Sequence, residues 1–449
     1  MAERLCLAGY GAAMTALQPL LRLKLARRGR AEPGYLHAVA QRFGRYSEPA
    51  PADGWLWVHA VSLGEVRAAA LWVPRLQAAR PDIRVLWTHG TATGRAAAQP
   101  LVRQQDAQAW LPWDAPGAVR RFVRHWRPRL GVLMETEVWP TLAQHCRAAG
   151  VPLWLVNARL NERSWQRAMR LRCLSRPAYG ALAGVLAQTP DDARRLHALG
   201  TPAPQVVGNV KFDVPWHPDP WAAAQRWRLA WRAASDRPVL LLASSREGEE
   251  AAWIAAWRRQ RATWPHPAPL WLVVPRHPQR FDEVHALLCA AGLRVLRRSA
   301  LPAWSEGPAW PPEAWHADVL LGDSLGEMSA YYALADVALL GGSFAPLGGQ
   351  NLIEAAASGC PIVLGPHTFN FAQAAAAALE AGAARRAADL DDALRLAQAW
   401  CQDDAALRAA RAGAERLLQQ HGGAADRTVS AVLQAWDDAA AAPAAPERA

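Results

Sequence analysis

Acidic residues stand where apolar runs stop. Trp57-Val-His-Ala-Val-Ser-Leu-Gly-Glu-Val66 passes from a strand-like run into Ser62, Gly64 and Glu65, and Met134-Glu-Thr-Glu-Val-Trp-Pro140 repeats the theme with Glu135 and Glu137. A carboxylate at a glycine turn past a strand end is well placed to act as a general base. The Ser62-x-x-Glu65 spacing fits a helix capping box equally well, and spacing alone does not choose between the two. Glu135 and Glu137 lie between apolar neighbours, where burial without a partner is costly. Either they pair with a cation or they face a cleft.

The second half of the chain carries a different chemistry. In residues 341–371 an apolar run, Val337 to Leu340, meets Gly341-Gly342-Ser343; Gly348-Gly349 follows, then an Ala-rich helix with Asn351 before it and Glu354 on it. Glycines let backbone amides approach a ligand, and a helix N-terminus adds unpaired donors and a positive dipole end. The pattern predicts a phosphate site, with Glu354 placed to accept bonds from a ribose. Ser244 and Ser245 precede another helix start and offer hydroxyls to an anion, and Arg276 and His277 close a strand, where arginine suits a nucleotide phosphate. Lys211, in Gly208-Asn-Val-Lys-Phe-Asp213, is placed to neutralise a phosphate or carboxylate. No histidine or cysteine cluster has metal spacing, and no cofactor is implied.

These residues need rigid elements to hold them. Short apolar strands at Trp55–Val61, Val85–Thr88, Leu130–Met134, Leu153–Val156 and Gly184–Ala187 alternate with helical stretches, and a second series runs through Val239–Ala243, Leu270–Val274, Leu293–Leu296, Val319–Leu321, Val337–Leu340 and Ile362–Leu364. Near-continuous apolar strands alternating with helices predict parallel sheets covered on both faces. The prolines of 213–220 mark a linker between the two series. The expected architecture is α/β: two doubly wound Rossmann-like domains facing across a cleft, with ligands at the carboxyl ends of the strands. The expected bounds are 31–213 and 214–438, with a disordered Ala/Pro-rich tail at 439–449.

Composition narrows the partners. The chain has 449 residues, with 50 Lys and Arg against 39 Asp and Glu for a net charge of +11, which favours an anionic partner. Nucleic acid is disfavoured, because the arginines are dispersed and no nucleic-acid motif appears. The cysteines lack paired spacing and read as free thiols in a reducing compartment. The 23 tryptophans fall singly on strand and helix patterns and read as core. Leu5 to Leu23 is mostly apolar, and Arg22, Lys24, Arg27, Arg28 and Arg30 cluster at its end. Residues 1–30 therefore read as a membrane-inserted or interfacial anchor with a basic flank, against the alternative of an amphipathic helix packed on the domain. Arg120-Arg-Phe-Val-Arg-His-Trp-Arg-Pro-Arg129 offers a second basic, aromatic-bearing face to a membrane.

The motifs together resemble those of the 3-deoxy-D-manno-octulosonic acid (Kdo) transferases of lipopolysaccharide assembly. That family shows Ser-x-Gly-Glu, Thr-x-Thr-Gly, Glu-Thr-Glu-Leu/Ile-Trp-Pro, Gly-Asn-Leu/Val-Lys-Phe-Asp, Asp-Thr-x-Gly-Glu-Leu/Met, Gly-Gly-Ser-Phe/Leu and Gly-Pro-His-Thr-Phe-Asn-Phe. This chain carries their counterparts in the same order, at Ser62–Glu65, Thr91–Gly94, Glu135–Pro140, Gly208–Asp213, Asp323–Met328, Gly341–Phe344 and Gly365–Phe371. It departs at Arg246 and Gln350, where the family usually has histidine, and at Leu352, where proline is usual. The resemblance implies a GT-B inverting glycosyltransferase that moves Kdo from CMP-Kdo to a lipid A precursor (lipid IVA) at the cytoplasmic face of the inner membrane, against an anionic surface. It implies that Glu65 is the base, that Glu135, Glu137 and Thr93 support it or contact the acceptor, and that Gly326, Glu327 and Met328 hold the base and sugar of the nucleotide. Donor contacts would also come from Lys211, Ser244, Ser245, Arg276, His277, Ser343, Gly348, Gly349, Asn351 and Glu354.

Overall fold

The computed structural model describes residues 1–47, 50–51, 53–213, 218–264 and 267–441. The chain divides into two compact units, one of residues 1–213 with 422–449, the other of 214–421. In the first unit the strands are β1 (Trp55–His59), β2 (Val85–His89), β3 (Ala107–Trp110), β4 (Pro128–Met134), β5 (Leu153–Ala158), β6 (Gly184–Ala187) and β7 (Gln205–Val206). They form a seven-stranded sheet in the order β3-β2-β1-β4-β5-β6-β7, and every pairing is parallel. The inner strands are buried on both faces: Leu56 and Val58 point into one apolar layer, Trp55 and Trp57 into the other. That double burial is why they read as unbroken apolar runs.

The second unit holds β8 (Val239–Ser245), β9 (Leu270–Pro275), β10 (Val295–Arg297), β11 (Val319–Leu321), β12 (Val337–Leu340), β13 (Ile362–Leu364) and β14 (Ala384–Arg386). They form a seven-stranded sheet in the order β10-β11-β9-β8-β12-β13-β14, again all parallel. Trp253 and Trp257 each pack edge to face on Trp271, and all three share a core with Leu240 and Leu242. Trp57, Trp72, Trp87, Trp110, Trp227, Trp231, Trp253, Trp271 and Trp400 are fully buried, as a core role requires.

Several expectations need correction. The helix Ala424–Ala441 belongs with the first unit: Val432 and Trp436 join that unit's core, and Asp213 accepts from the Gly423 and Ala425 amides at 2.5 and 2.6 Å. A carboxylate at a helix N-terminus is stabilising there. The second domain therefore stops near 421 rather than 438, and helix extends through 441; of the expected tail, 442–449 lie outside the described residues. Of the linker, 214–217 also lie outside them, and Pro218 opens the helix Pro218–Ala234. Residues 1–30 form two helices, Ala2–Ala16 and Gln18–Ala31, which break at Leu17 ahead of Pro19. Among the described residues no helix is long and apolar enough to cross a membrane. The 120–129 stretch turns Phe122 and Trp126 into the core, so its aromatic rings are not available to a membrane surface.

Candidate active site

In each sheet the chain reverses its winding at one place. The first strand of the unit, β1 or β8, has its sequence successor on one side and a later strand, β4 or β12, on the other. In open α/β sheets such a reversal is where the loops past the strand ends diverge and ligands bind.

At the first of these points, β1 leads into Ser62 and the helix Leu63–Ala69, and β4 leads into Glu135 and Glu137. Glu65 is 9% exposed. Its Oε2 accepts from the Val61 amide at 2.7 Å, and Ser62 Oγ donates to Oε1 at 3.4 Å. Ser62 makes no side-chain bond to a helix amide, so the reciprocal capping box does not form. Burial, reinforced by the charges of Glu137 and Glu135, pushes Glu65 up to about 8 against the two bonds that favour its ionised form. Gly90 and Thr91 donate backbone amides to Val61 O at 3.1 and 3.0 Å, and Thr91 Oγ1 donates to it at 3.0 Å. A Cβ at Gly94 would lie 2.9 Å from Val61 O, so only glycine lets this turn press on the Glu65 loop. Thr93 lies exposed on the same turn, 3.4 Å from Thr91 Oγ1.

Glu135 adopts φ +55 and neighbouring Asn157 φ +52, left-handed conformations that cost a side-chain-bearing residue roughly 1–3 kcal/mol and cluster at functional sites. Glu135 pairs with two cations, Arg159 Nε at 2.8 Å and Lys211 Nζ at 2.7 Å. The cation-pairing alternative thus holds for Glu135, and Lys211, expected among the donor contacts, sits with the acidic group of the first unit. Glu137 accepts from Trp139 Nε1 at 3.0 Å, and burial with the nearby Glu135 raises its pKa. Beneath the loop, His59 and His89 are held neutral, depressed by burial to about 3 and about 4.

At the second point, the last-but-one residue of β8 is Ser244, again left-handed at φ +54, with its hydroxyl 3.8 Å from Met328 Sδ. Arg276 is exposed past β9 and donates from Nε to Gln350 Oε1 at 3.2 Å. A Cβ at Gly342 would lie 3.0 Å from Gln350 Nε2 and 3.6 Å from Arg246 Cγ. Ser244, Arg246, Arg276, Met328 and Gln350 therefore gather around the β8 and β12 ends. His277 is half-buried, and Gly326 is exposed with open space around it. Glu327 is engaged by Arg298 and by Ser324 Oγ at 2.6 Å. Asn351 bridges Glu354 Oε1 at 3.0 Å and the Ile353 amide at 3.1 Å. The helix carrying Glu354 is short, Ile353–Ala357.

Two expected anion ligands are consumed by the fold. Ser245 is fully buried and donates to Glu250 Oε1 at 2.6 Å, and Glu250 in turn holds Arg280 through both oxygens. Ser343 is fully buried; it donates to Leu340 O and accepts the Gly365 amide at 2.8 Å. Glu249 carries a role that the sequence reading missed. Its carboxylate accepts the Gly342, Phe344 and Ala345 amides at 2.7, 3.2 and 3.3 Å, and the Arg246 amide at 2.9 Å. The amides after β12 thus close on the protein's own anion. Gly348 and Gly349, at φ +87 and +76, form a second turn buried against 367–370. Among the described residues no group of three or more His, Cys, Asp or Glu side chains is arranged to hold a metal ion.

Comparison with known proteins places this geometry. Residues 37–214 match the family described as 3-Deoxy-D-manno-octulosonic-acid transferase (kdotransferase). The chain is 48% identical over 439 residues to the 3-deoxy-D-manno-octulosonic acid transferase of Bordetella pertussis, covering 95% of this chain and 98% of that one. It is 31% identical over 365 residues to the protein of the same name from Haemophilus influenzae, with 81% and 82% covered. Among solved structures, a glycosyltransferase from Rickettsia africae aligns with a TM-score of 0.53 at 10% identity, covering 87% of this chain and 99% of that one. The UDP-GlcNAc 2-epimerase of Neisseria meningitidis aligns at 0.51 and 14% identity, covering 85% and 100%. At those identities the likeness concerns the fold alone, which transferases and epimerases share.

Proposed function

The chain belongs to the 3-deoxy-D-manno-octulosonic acid transferases, and we propose that Glu65 is the base of its reaction, with CMP-Kdo as donor and the glucosamine disaccharide of a lipid A precursor as acceptor. The protein is a glycosyltransferase that moves Kdo in lipopolysaccharide biosynthesis. Glu65 takes the proton of an acceptor hydroxyl, whose oxygen bonds to the anomeric carbon of Kdo. The bond from that carbon to the CMP phosphate oxygen breaks, CMP leaves with the electron pair, and the configuration inverts. One observation carries this reading: Glu65 is a buried carboxylate at a switch point with no ion-pair partner among the described residues, pushed up to about 8, near the pH at which a base works best.

Donor contacts in this proposal come from Ser244, Arg276, His277, Gly326, Met328, Asn351 and Glu354, with Arg276 stabilising the leaving phosphate. Glu135 and Lys211 act from the first unit, where they order the acidic group beside Glu65. We place the enzyme at the cytoplasmic face of the inner membrane. Leu5, Leu20 and Leu23 are 66, 61 and 48% exposed on the first two helices, beside the basic residues of 22–30, a pattern suited to an interfacial position. Incubating the purified protein with CMP-Kdo and a lipid A precursor tests the proposal. CMP release in step with acceptor modification, lost in Glu65→Gln, supports it; full activity in that variant refutes the role of Glu65.

A further inference from the structure

Among the described residues the buried arginines differ in what answers their charge. Arg280 is clasped by Glu250 and Arg298 by Glu327. Arg237 donates to the carbonyls of Ala268, Pro269, Trp315 and Ala317. Arg42, only 3% exposed, donates to Gly90 O at 3.1 Å and keeps a buried Nε without a partner. Arg95, from the helix after the Gly90–Gly94 turn, faces His37 Nε2 at 3.3 Å and keeps a buried Nη1 without a partner. Among the described residues neither arginine has a carboxylate within ion-pair distance.

Aromatic rings hold these charges in place of an anion. Trp110 stacks with Tyr35 at 6.4 Å, Arg42 lies 3.8 Å and Arg95 5.3 Å from the Trp110 ring centre, and Arg28 lies 4.2 Å from that of Tyr35. Such contacts only partly offset the loss of hydration. Burial lowers Arg42 to about 10, and Arg28 and Arg95 add to the effect. The cluster adjoins the proposed base through backbone bonds: Arg42 holds Gly90 O, the Gly90 amide donates to Val61 O, and the Val61 amide donates to Glu65. Arg95 is half-buried, with Thr93 and His37 exposed beside it, so an anion reaches the cluster from that side.

We infer that Arg95 and His37, backed by Arg42 on the Tyr35–Trp110 platform, form a binding site for a phosphate monoester carried by the acceptor. The inference rests on the acceptor proposed above and gives its recognition a place. A dianion answers two guanidinium charges that the fold leaves uncompensated, and arginine meets phosphate through paired bonds. Arg42 is too deeply set to be a safe probe, whereas Arg95 is partly exposed. Arg95→Gln should raise KM for a phosphorylated acceptor by about ten- to a hundredfold, the scale of a lost charge-assisted hydrogen bond, and change KM for the phosphatase-treated acceptor little. Arg95→Lys should lose less. Equal losses on both acceptors, or none on either, overturn the inference. Inorganic phosphate binding reads the pocket without turnover: it should weaken on the same scale, and an unchanged affinity overturns the site even if the acceptor above is wrong. Sedimentation with phosphatidylglycerol vesicles should be unaltered; a loss there in place of the acceptor effect would assign the arginines to lipid headgroups and overturn the site.

Discussion

At the carboxyl edge of the first sheet, Glu65 is buried and Glu137 half-buried, with one amide, one hydroxyl and one indole between them as neutral donors. At the same edge of the second sheet, Glu249 closes on four backbone amides, Glu250 on Arg280 and Ser245, and Glu327 on Arg298 and Ser324. The first edge answers Glu135 with Arg159 and Lys211 but, among the described residues, gives Glu65 and Glu137 no ion pair, whereas the second spends its acidic charge on building loops. A carboxylate whose ionisation the fold opposes is ready to take a proton, whereas one already bonded to cations and amides is scaffold. On this view the second unit offers its ligand a cation, Arg276, and the first offers bases.

Glu250→Ala tests the scaffold half and should have the largest effect on stability. It leaves the buried Arg280 guanidinium with only the exposed Glu283 as counter-charge, a change worth up to about 3–5 kcal/mol, readable as a drop in denaturation midpoint. If the variant unfolds normally yet fails to bind donor, Glu250 belongs to the site and the contrast collapses. Glu65→Gln tests the other half through pH. Its folded pKa lies above the unfolded one, so the native state holds the proton longer, and the wild type loses stability as pH rises from 4.5 to about 8. The variant lacks that loss. Its advantage in unfolding free energy should be near zero at pH 4 and grow to on the order of a few kcal/mol above pH 8. A constant offset across pH would mean that Glu65 is an ordinary cap. Arg276→Ala is milder: the side chain is exposed, so CMP-Kdo should bind about tenfold more weakly by calorimetry, with the deficit shrinking at high salt. Unchanged affinity would move the donor elsewhere.

Much of this was legible in the sequence because strands buried on both faces announce themselves as apolar runs. The strands that escaped notice, Ala107–Trp110, Gln205–Val206 and Ala384–Arg386, are all at sheet edges. There one flank is unpaired, and residues such as Gln108 and Arg385 break the pattern. The return of Ala424–Ala441 to the first unit has no local signature, since Asp213 meets Gly423 across 210 residues. In the site, the positions of Glu65, Glu135 and Glu137 followed from strand ends. Which hydroxyls and carboxylates the fold would consume did not: Ser245 and Ser343 look like ligands until Glu250 and Gly365 are seen to hold them. Glu249 and the Gly342 amide are 93 residues apart, so their contact could not be read from spacing.

The central claim, that the first sheet holds an unanswered carboxylate as a base, meets its most direct test in the pH dependence of transfer. Measured as kcat/KM for the acceptor at saturating CMP-Kdo, the wild-type rate should rise with pH along a limb whose midpoint lies near 8, where Glu65 loses its proton. In Glu65→Gln the rate should fall by roughly 10²–10⁴-fold and that limb should vanish, while calorimetric donor affinity stays the same. A surviving limb with the same midpoint in the variant would contradict the account.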